Sequence, residues 1–239
     1  MRAETREGSL REEVLVVLSL SLLASVVYAI IDLFSAPLRG VARAVYPQVG
    51  LPLQLADIAF GLAPVWLVIH LVRRSDGGAA AIGLTRARPS RVILEGTLLA
   101  LVVGAAGIGI YLGSVALGWN RFVVPVPPLG HWWTWPVVVL GAAQAALLEE
   151  VIGAGYLITR LRQFGWSRAA TVSSSALLRG GYHLYQGWGG FLGNVALGAF
   201  FGWIFVKRGK LWPLIVAHFL LDVGAAAGYV LFRDRLPGP

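Results

Sequence analysis

The chain has no cysteine and a single methionine among its 239 residues. The first absence excludes disulfides and thiolate metal ligands. Charge is scarce as well. Asp, Glu, Lys and Arg together make up 13%, about half the share of a soluble globular domain. What charge there is leans basic, with 20 Lys and Arg against 12 Asp and Glu and a formal net of +8. The excess does not mark a nucleic-acid surface, because the basic residues fall between apolar runs and do not line one element. No nucleic-acid partner is expected. No repeat of roughly 20–50 residues occurs, which excludes a solenoid.

What is abundant is apolar. Hydrophobic residues make up 57% and the mean hydropathy is +0.72. A bilayer core of about 30 Å takes roughly 20 apolar residues as a helix. Seven segments qualify: 14–33, 51–72, 92–117, 135–160, 168–186, 190–206 and 211–232. The expected fold is therefore an all-α polytopic membrane helix bundle with about seven transmembrane helices and the lipid bilayer as its solvent. The expectation is one integral membrane domain, with an N-terminal three-helix region at 1–134, a four-helix core at 135–232 and a tail at 233–239. Lys and Arg alternate along the loops, 14 on one side and 5 on the other, with Arg179 inside a span. The positive-inside rule then places the N-terminus in the cytoplasm and the C-terminus outside, as in a bacterial cytoplasmic membrane. Glu4, Glu7, Glu12 and Glu13 precede or enter the first span, so it is expected to be an anchor and not a cleaved signal peptide. The loop "NRFVVPVPPLGHWWTWP" reads as an interfacial aromatic belt.

Against this background, polar residues inside spans are informative, because a charge at a helix centre costs about 2.5–3.5 kcal/mol on insertion scales. Some have local explanations. Arg91 and Glu95 are an i,i+4 pair at the start of a span. Asp32 sits at a span end, and His70 and His131 are expected at interfaces. Asp57 lies deeper and has no assigned partner. The Gly189/Gly193 and Gly198/Gly202 spacing predicts close helix packing, with Asn194 as a packing hydrogen bonder.

Four features have no such explanation: the adjacent Glu149 and Glu150, Arg179, His183, and His218 with Asp222. Neighbours on an α-helix point about 100° apart, so Glu149 and Glu150 are not expected to face one small site in the same way. Crowded carboxylates in a poorly solvated place suit general-base chemistry. His218 and Asp222 share a helix face at i,i+4, and Arg179 and His183 repeat that spacing. Two chemistries are open to this set. One is a zinc or other divalent metal site with Glu149, His183 and His218 as ligands and an open position for water. The other is metal-free, with Glu and His activating water while His and Asp orient substrate or stabilise an oxyanion.

The order EE…H…HxxxD on successive spans resembles the CAAX protease and bacteriocin-processing family, also called Abi. Its members are intramembrane endopeptidases related to the type II enzyme that trims prenylated CAAX proteins. The family pattern is EExxxR, FxxxH, and HxxxN or HxxxD. Here the motifs read Glu149-Glu150-Val151-Ile152-Gly153-Ala154, Arg179-Gly180-Gly181-Tyr182-His183 and His218-Phe219-Leu220-Leu221-Asp222, within 135–232. The resemblance implies a protease acting on a membrane-associated peptide or protein. Glu149 would be general base or ligand with Glu150 beside it. His183 would share the water, and His218 and Asp222 would hold the oxyanion. Two positions depart from the pattern: Ala154 stands where the family has Arg, and Arg179 where it has Phe. The expectation is that Arg179 supplies the missing guanidinium and pairs with Glu150 across the site. Ala154 also keeps open a non-catalytic scaffold, such as a peptide-binding or immunity protein. A small transporter is the third reading, though no inverted repeat supports it. Depth poses a problem, because His183 falls deeper in its span than Glu149 does. A late start, a tilt or a break at Gly180-Gly181 in the fifth helix would reconcile them.

Overall fold

A computed structural model describes residues 2–35, 41–43, 50–127 and 130–235. Pro128, Leu129 and the tail beyond Arg235 lie outside the described residues. Ten α-helices account for most of the chain: α1 (Arg2–Ser19), α2 (Leu22–Ser35), α3 (Leu51–Gly61), α4 (Ala63–Ser75), α5 (Pro89–Ala116), α6 (Thr134–Glu149), α7 (Ile158–Gln163), α8 (Arg168–Tyr182), α9 (Trp188–Arg208) and α10 (Trp212–Phe232). A π-helical segment, Glu150–Leu157, joins α6 to α7. Two three-residue strands, β1 (Val41–Arg43) and β2 (Phe122–Val124), pair in parallel. Among the described residues the bundle is all-α apart from this patch.

Among the described residues, five stretches are long and apolar enough to cross a membrane: Leu51–Ser75, Pro89–Ala116, Thr134–Gln163, Trp188–Arg208 and Trp212–Phe232. The pair Gly8–Ser19 and Leu22–Ser35, bent by 46°, gives a sixth if it counts as one span. The segment expected as the fifth span, 168–186, forms only the 15 residues of α8 followed by a 3-10 turn at Leu184–Gln186. That helix rises ~22 Å, less than the ~30 Å hydrocarbon core. The segment from Gln163 to Gly187 nevertheless reaches from one end of the bundle to the other. Gln163, four residues before Ser167, donates to Asp76 beside the end of α4, while Gly187 pairs with Asn120 beyond the end of α5.

Buried arginines fasten both ends. At one end Arg160, fully buried, donates to Glu13 and Asp76 (2.7 Å each), Gln163 and Ser75. Tyr156 of the π segment also donates to Glu13, at 2.8 Å. At the other end Arg121 pairs with the Asp32 carboxylate and donates to the carbonyls of Asp32 and Tyr185. Asp32, read from the sequence as an unremarkable span-end residue, is thus the counter-charge of an arginine that is itself 2% exposed. The sequence reading had placed Arg160 among loop cations. It is instead the centre of a clamp on α1, α4 and α7.

Between the two ends, Val17, Leu22, Val68, Ala146, Ile152, Phe201 and Leu214 belong to one apolar core. Large apolar side chains on the outer surface, including Leu98, Leu101 and Trp203, remain exposed, as a lipid-facing surface requires. Arg91 and Glu95 form the expected i,i+4 pair at 2.8 Å. Asp57, His70 and His131 are exposed, and His131 stacks on Trp133. The glycine reading holds in part. A Cβ on Gly189 would strike Ser114, on Gly198 the Ala176 backbone, and on Gly202 would press on Ile158 and Val172. Gly193 differs, because only Ile110, at 3.9 Å, comes near, and the residue lines a groove.

Candidate active site

The π segment begins at the second glutamate. Its i→i+5 bonding widens the helical turn, and such segments recur at functional sites. Gly155 and Ser175 accommodate it. A Cβ on Gly155 would lie 2.9 Å from the Ile82 carbonyl, and Ser175 of α8 donates to the Gly153 carbonyl at 2.8 Å. Nothing in the apolar pattern of 135–160 signals this change of winding, and the sequence reading missed it.

Glu149 and Glu150 face the site differently, as their spacing predicts, yet belong to one cluster. Both reach the same two partners. Arg179 Nη1 lies 2.5 Å from Glu150 Oε1, the pairing expected from the sequence, and Nη2 lies 3.5 Å from Glu149 Oε2. His218 Nδ1 lies 2.9 Å from Glu150 Oε1, while its Nε2 faces Glu149 Oε2 at 3.9 Å and Asp222 Oδ2 at 3.5 Å. The contact between Nδ1 and a carboxylate requires the proton on that nitrogen. The Arg179 guanidinium also stands 5.7 Å over the Phe201 ring.

His183 closes α8. Its Nδ1 lies 2.9 Å from the Arg179 carbonyl, an acceptor, so Nδ1 carries the proton and the neutral ring keeps its lone pair on Nε2. Tyr182, one residue earlier, donates to Glu149 Oε2 at 2.8 Å. The sequence reading did not single out Tyr182. A tyrosine beside a candidate histidine is also an ordinary interfacial residue, and only its partner distinguishes it.

The depth problem resolves without a late start or a break. Helix α8 begins at Arg168 and runs unbroken through Gly180-Gly181. Those glycines serve close packing, since a Cβ on Gly180 would meet Val195 at 2.4 Å and one on Gly181 would meet Val26 at 3.2 Å. Helical winding on the other side of the site continues to Gln163, which places Glu149 ~21 Å from that end and His183 ~22 Å from the start of α8. His218 sits six residues after Trp212, the first residue of α10.

Exposure grades across the cluster. The Glu150 side chain is 1% exposed, His218 6%, Glu149 14% and Asp222 41%. The cluster therefore opens on the Asp222 side, and Glu149, not Glu150, is the carboxylate a substrate can reach. A void of about 10 Å³, close to the least that holds one water, borders Glu149, Glu150, Ala154 and Arg179.

Among the described residues, no group of three or more His, Asp or Glu side chains is arranged to hold a metal ion. The position between the carboxylates and His218 is taken by a guanidinium, so Glu149, His183 and His218 do not form a ligand set in this arrangement.

A polytopic helical membrane protein with glutamates, histidines and an arginine gathered inside the bundle is the class this fold and site define. Residues 131–224 match the family described as type II CAAX prenyl endopeptidase Rce1-like. That is a protease family, and the matched segment contains Glu149, Glu150, Arg179, His183, His218 and Asp222. No curated protein and no solved structure matches the chain.

Proposed function

We propose that the protein is an intramembrane endopeptidase that hydrolyses a peptide bond in a membrane-associated peptide or protein, using Glu149 as general base. The observation that carries this reading is the gathering of Glu149, Glu150, Arg179 and His218 around one centre in the segment that matches the endopeptidase family.

The roles follow from the contacts. Glu149 Oε2 is held by Tyr182 and approached by Arg179, which leaves Oε1 for water. The water gives a proton to Glu149 as its oxygen attacks the carbonyl carbon. The His183 Nε2 lone pair is a second acceptor for that water. A tetrahedral oxyanion forms, and His218 Nε2, with Asp222 beside it, supplies the stabilising donor once protonated. The protonated Glu149 then passes its proton to the leaving nitrogen, the C–N bond breaks, and Glu149 returns to the carboxylate. Glu150 stays paired with Arg179 and fixes the guanidinium and His218 in place. Arg179 supplies positive charge among the carboxylates, which favours a metal-free mechanism.

The test is cleavage of a quenched library of membrane peptides by purified protein in detergent. Glu149→Gln should lose about 10²–10⁴ in rate, the usual contribution of a general base. A chelator should leave wild-type activity unchanged. Loss of activity on chelation would overturn the metal-free part. A wild type that cleaves nothing across a broad library would overturn the peptidase and favour a non-catalytic scaffold.

A further inference from the structure

Away from the site, between α5 and α9, a groove of about 390 Å³ opens on the outer face of the bundle. Its walls are almost entirely apolar. Gly107 and Gly193 leave its floor clear, since a Cβ on Gly107 would meet nothing within 4 Å and one on Gly193 only Ile110 at 3.9 Å. The groove runs from Gly190 to Phe200, ~15 Å along α9 at helical rise.

One end is polar. Asn120 is 4% exposed, and its Oδ1 has no hydrogen-bond partner in the described structure. The amide is oriented by Nδ2, which donates to the Arg121 carbonyl at 3.0 Å. Gln186 behaves alike, with Nε2 donating to the Tyr185 hydroxyl at 3.0 Å. Both oxygens lie close together against Gly190, where a Cβ would be 2.9 Å from Gln186 Oε1 and 3.1 Å from Asn120 Oδ1. An orphaned buried carbonyl is costly unless something donates to it. Trp119 and Trp188, both about half exposed, flank this end and mark the level of the membrane interface.

From this geometry we propose that the groove is a binding site for a phospholipid with a primary-amine head group, such as phosphatidylethanolamine. One acyl chain lies between α5 and α9, and the ammonium donates to Asn120 Oδ1 and Gln186 Oε1. An ammonium has three donors for two neighbouring acceptors, and a quaternary choline has none. The orientation matches the bilayer, with the head at the tryptophan level and the chain towards its centre.

The test is native mass spectrometry of delipidated full-length protein titrated with phosphatidylethanolamine, phosphatidylglycerol and phosphatidylcholine of identical chains. Wild type should retain the ethanolamine lipid at least tenfold more strongly than the choline lipid. Gly107→Leu and Gly193→Leu, which fill the groove and favour helix, should lose that preference while eluting as wild type in size exclusion. Equal retention of ethanolamine and choline lipids by wild type overturns the proposal, and so does an unchanged preference in both leucine variants. Retention of the glycerol lipid as strongly as the ethanolamine lipid overturns the assignment to an amine. The wild-type comparison stands even if a leucine variant fails to fold.

Discussion

Arg179 and Glu150 come from different helices and meet at 2.5 Å, both almost wholly buried. Ala154, where the family pattern has its arginine, borders the small void beside this pair. Relative to the pattern that the motifs resemble, the guanidinium comes from the helix that carries His183 in place of the one that carries the glutamates.

The relocation predicts a rescue. Removing one member of a buried ion pair costs about 3–5 kcal/mol, because the other is left uncompensated. Arg179→Phe should therefore lower stability by that order and abolish cleavage. Adding Ala154→Arg in the same chain should recover a large part of both, since the new side chain starts next to the void. The readouts are thermal unfolding in detergent and peptide cleavage. If the double variant is no better than Arg179→Phe alone, the relocation account is wrong.

Tyr182→Phe separates positioning from packing. The ring stays in place and only the hydrogen bond to Glu149 is lost. A hydrogen bond to a charged group contributes about 1.5–3 kcal/mol. The expected result is a fall in kcat of about tenfold or more with KM little changed, and an unfolding temperature lower by several degrees, the shift such a loss implies. A change confined to KM would place Tyr182 in substrate binding instead.

How much of this was legible follows from the length scale of each signal. The all-α membrane class came from apolar runs, which are long and need no tertiary information, whereas the expected seven spans compare with five among the described residues, or six with the bent pair. The identity of the cluster came from polar residues where the bilayer penalises them. Arg179 and Glu150 were paired in advance because two costly charges each needed a partner. What could not be read was geometry that depends on neighbours. The π winding after Glu149 is held by Ser175 and by the close approach of Ile82, both distant in sequence. Arg160 and Arg121 looked like ordinary loop cations, because their carboxylate partners Glu13, Asp76 and Asp32 are 84 to 147 residues away.

The Arg160 clamp gives a pH-dependent prediction. Asp76 lies just beyond the membrane-spanning helix. Burial works to raise its pKa, but hydrogen bonds from Ser75, Arg160 and Gln163 outweigh that and hold the carboxyl below its ordinary range. A carboxyl depressed in the folded state adds stability that is full above its unfolded pKa and lost as pH falls through the folded one. Asp76→Asn should therefore be less stable than wild type at neutral pH, and the gap should close below about pH 4. Thermal unfolding of both proteins between about pH 3 and 7 checks this. A gap that does not vary with pH would mean that Asp76 acts through packing alone.

Orientation in the membrane is the remaining proposal, and the lack of cysteine makes it easy to test, since any introduced thiol is unique. Contacts gather Glu13, Asp76 and Arg160 at one end of the bundle and Asp32, Arg121 and Tyr185 at the other. The first end adjoins the loops richest in Lys and Arg, which places it in the cytoplasm. Ala87→Cys, in the exposed loop between α4 and α5, should resist a membrane-impermeant maleimide in intact cells and react after permeabilisation. His131→Cys and Arg233→Cys should react without permeabilisation. Labelling of Ala87→Cys alone in intact cells would invert the assignment. Labelling of His131→Cys but not Arg233→Cys would mean that the segment 168–187 does not complete its crossing, leaving an odd number of crossings beyond His131 in place of the even number proposed.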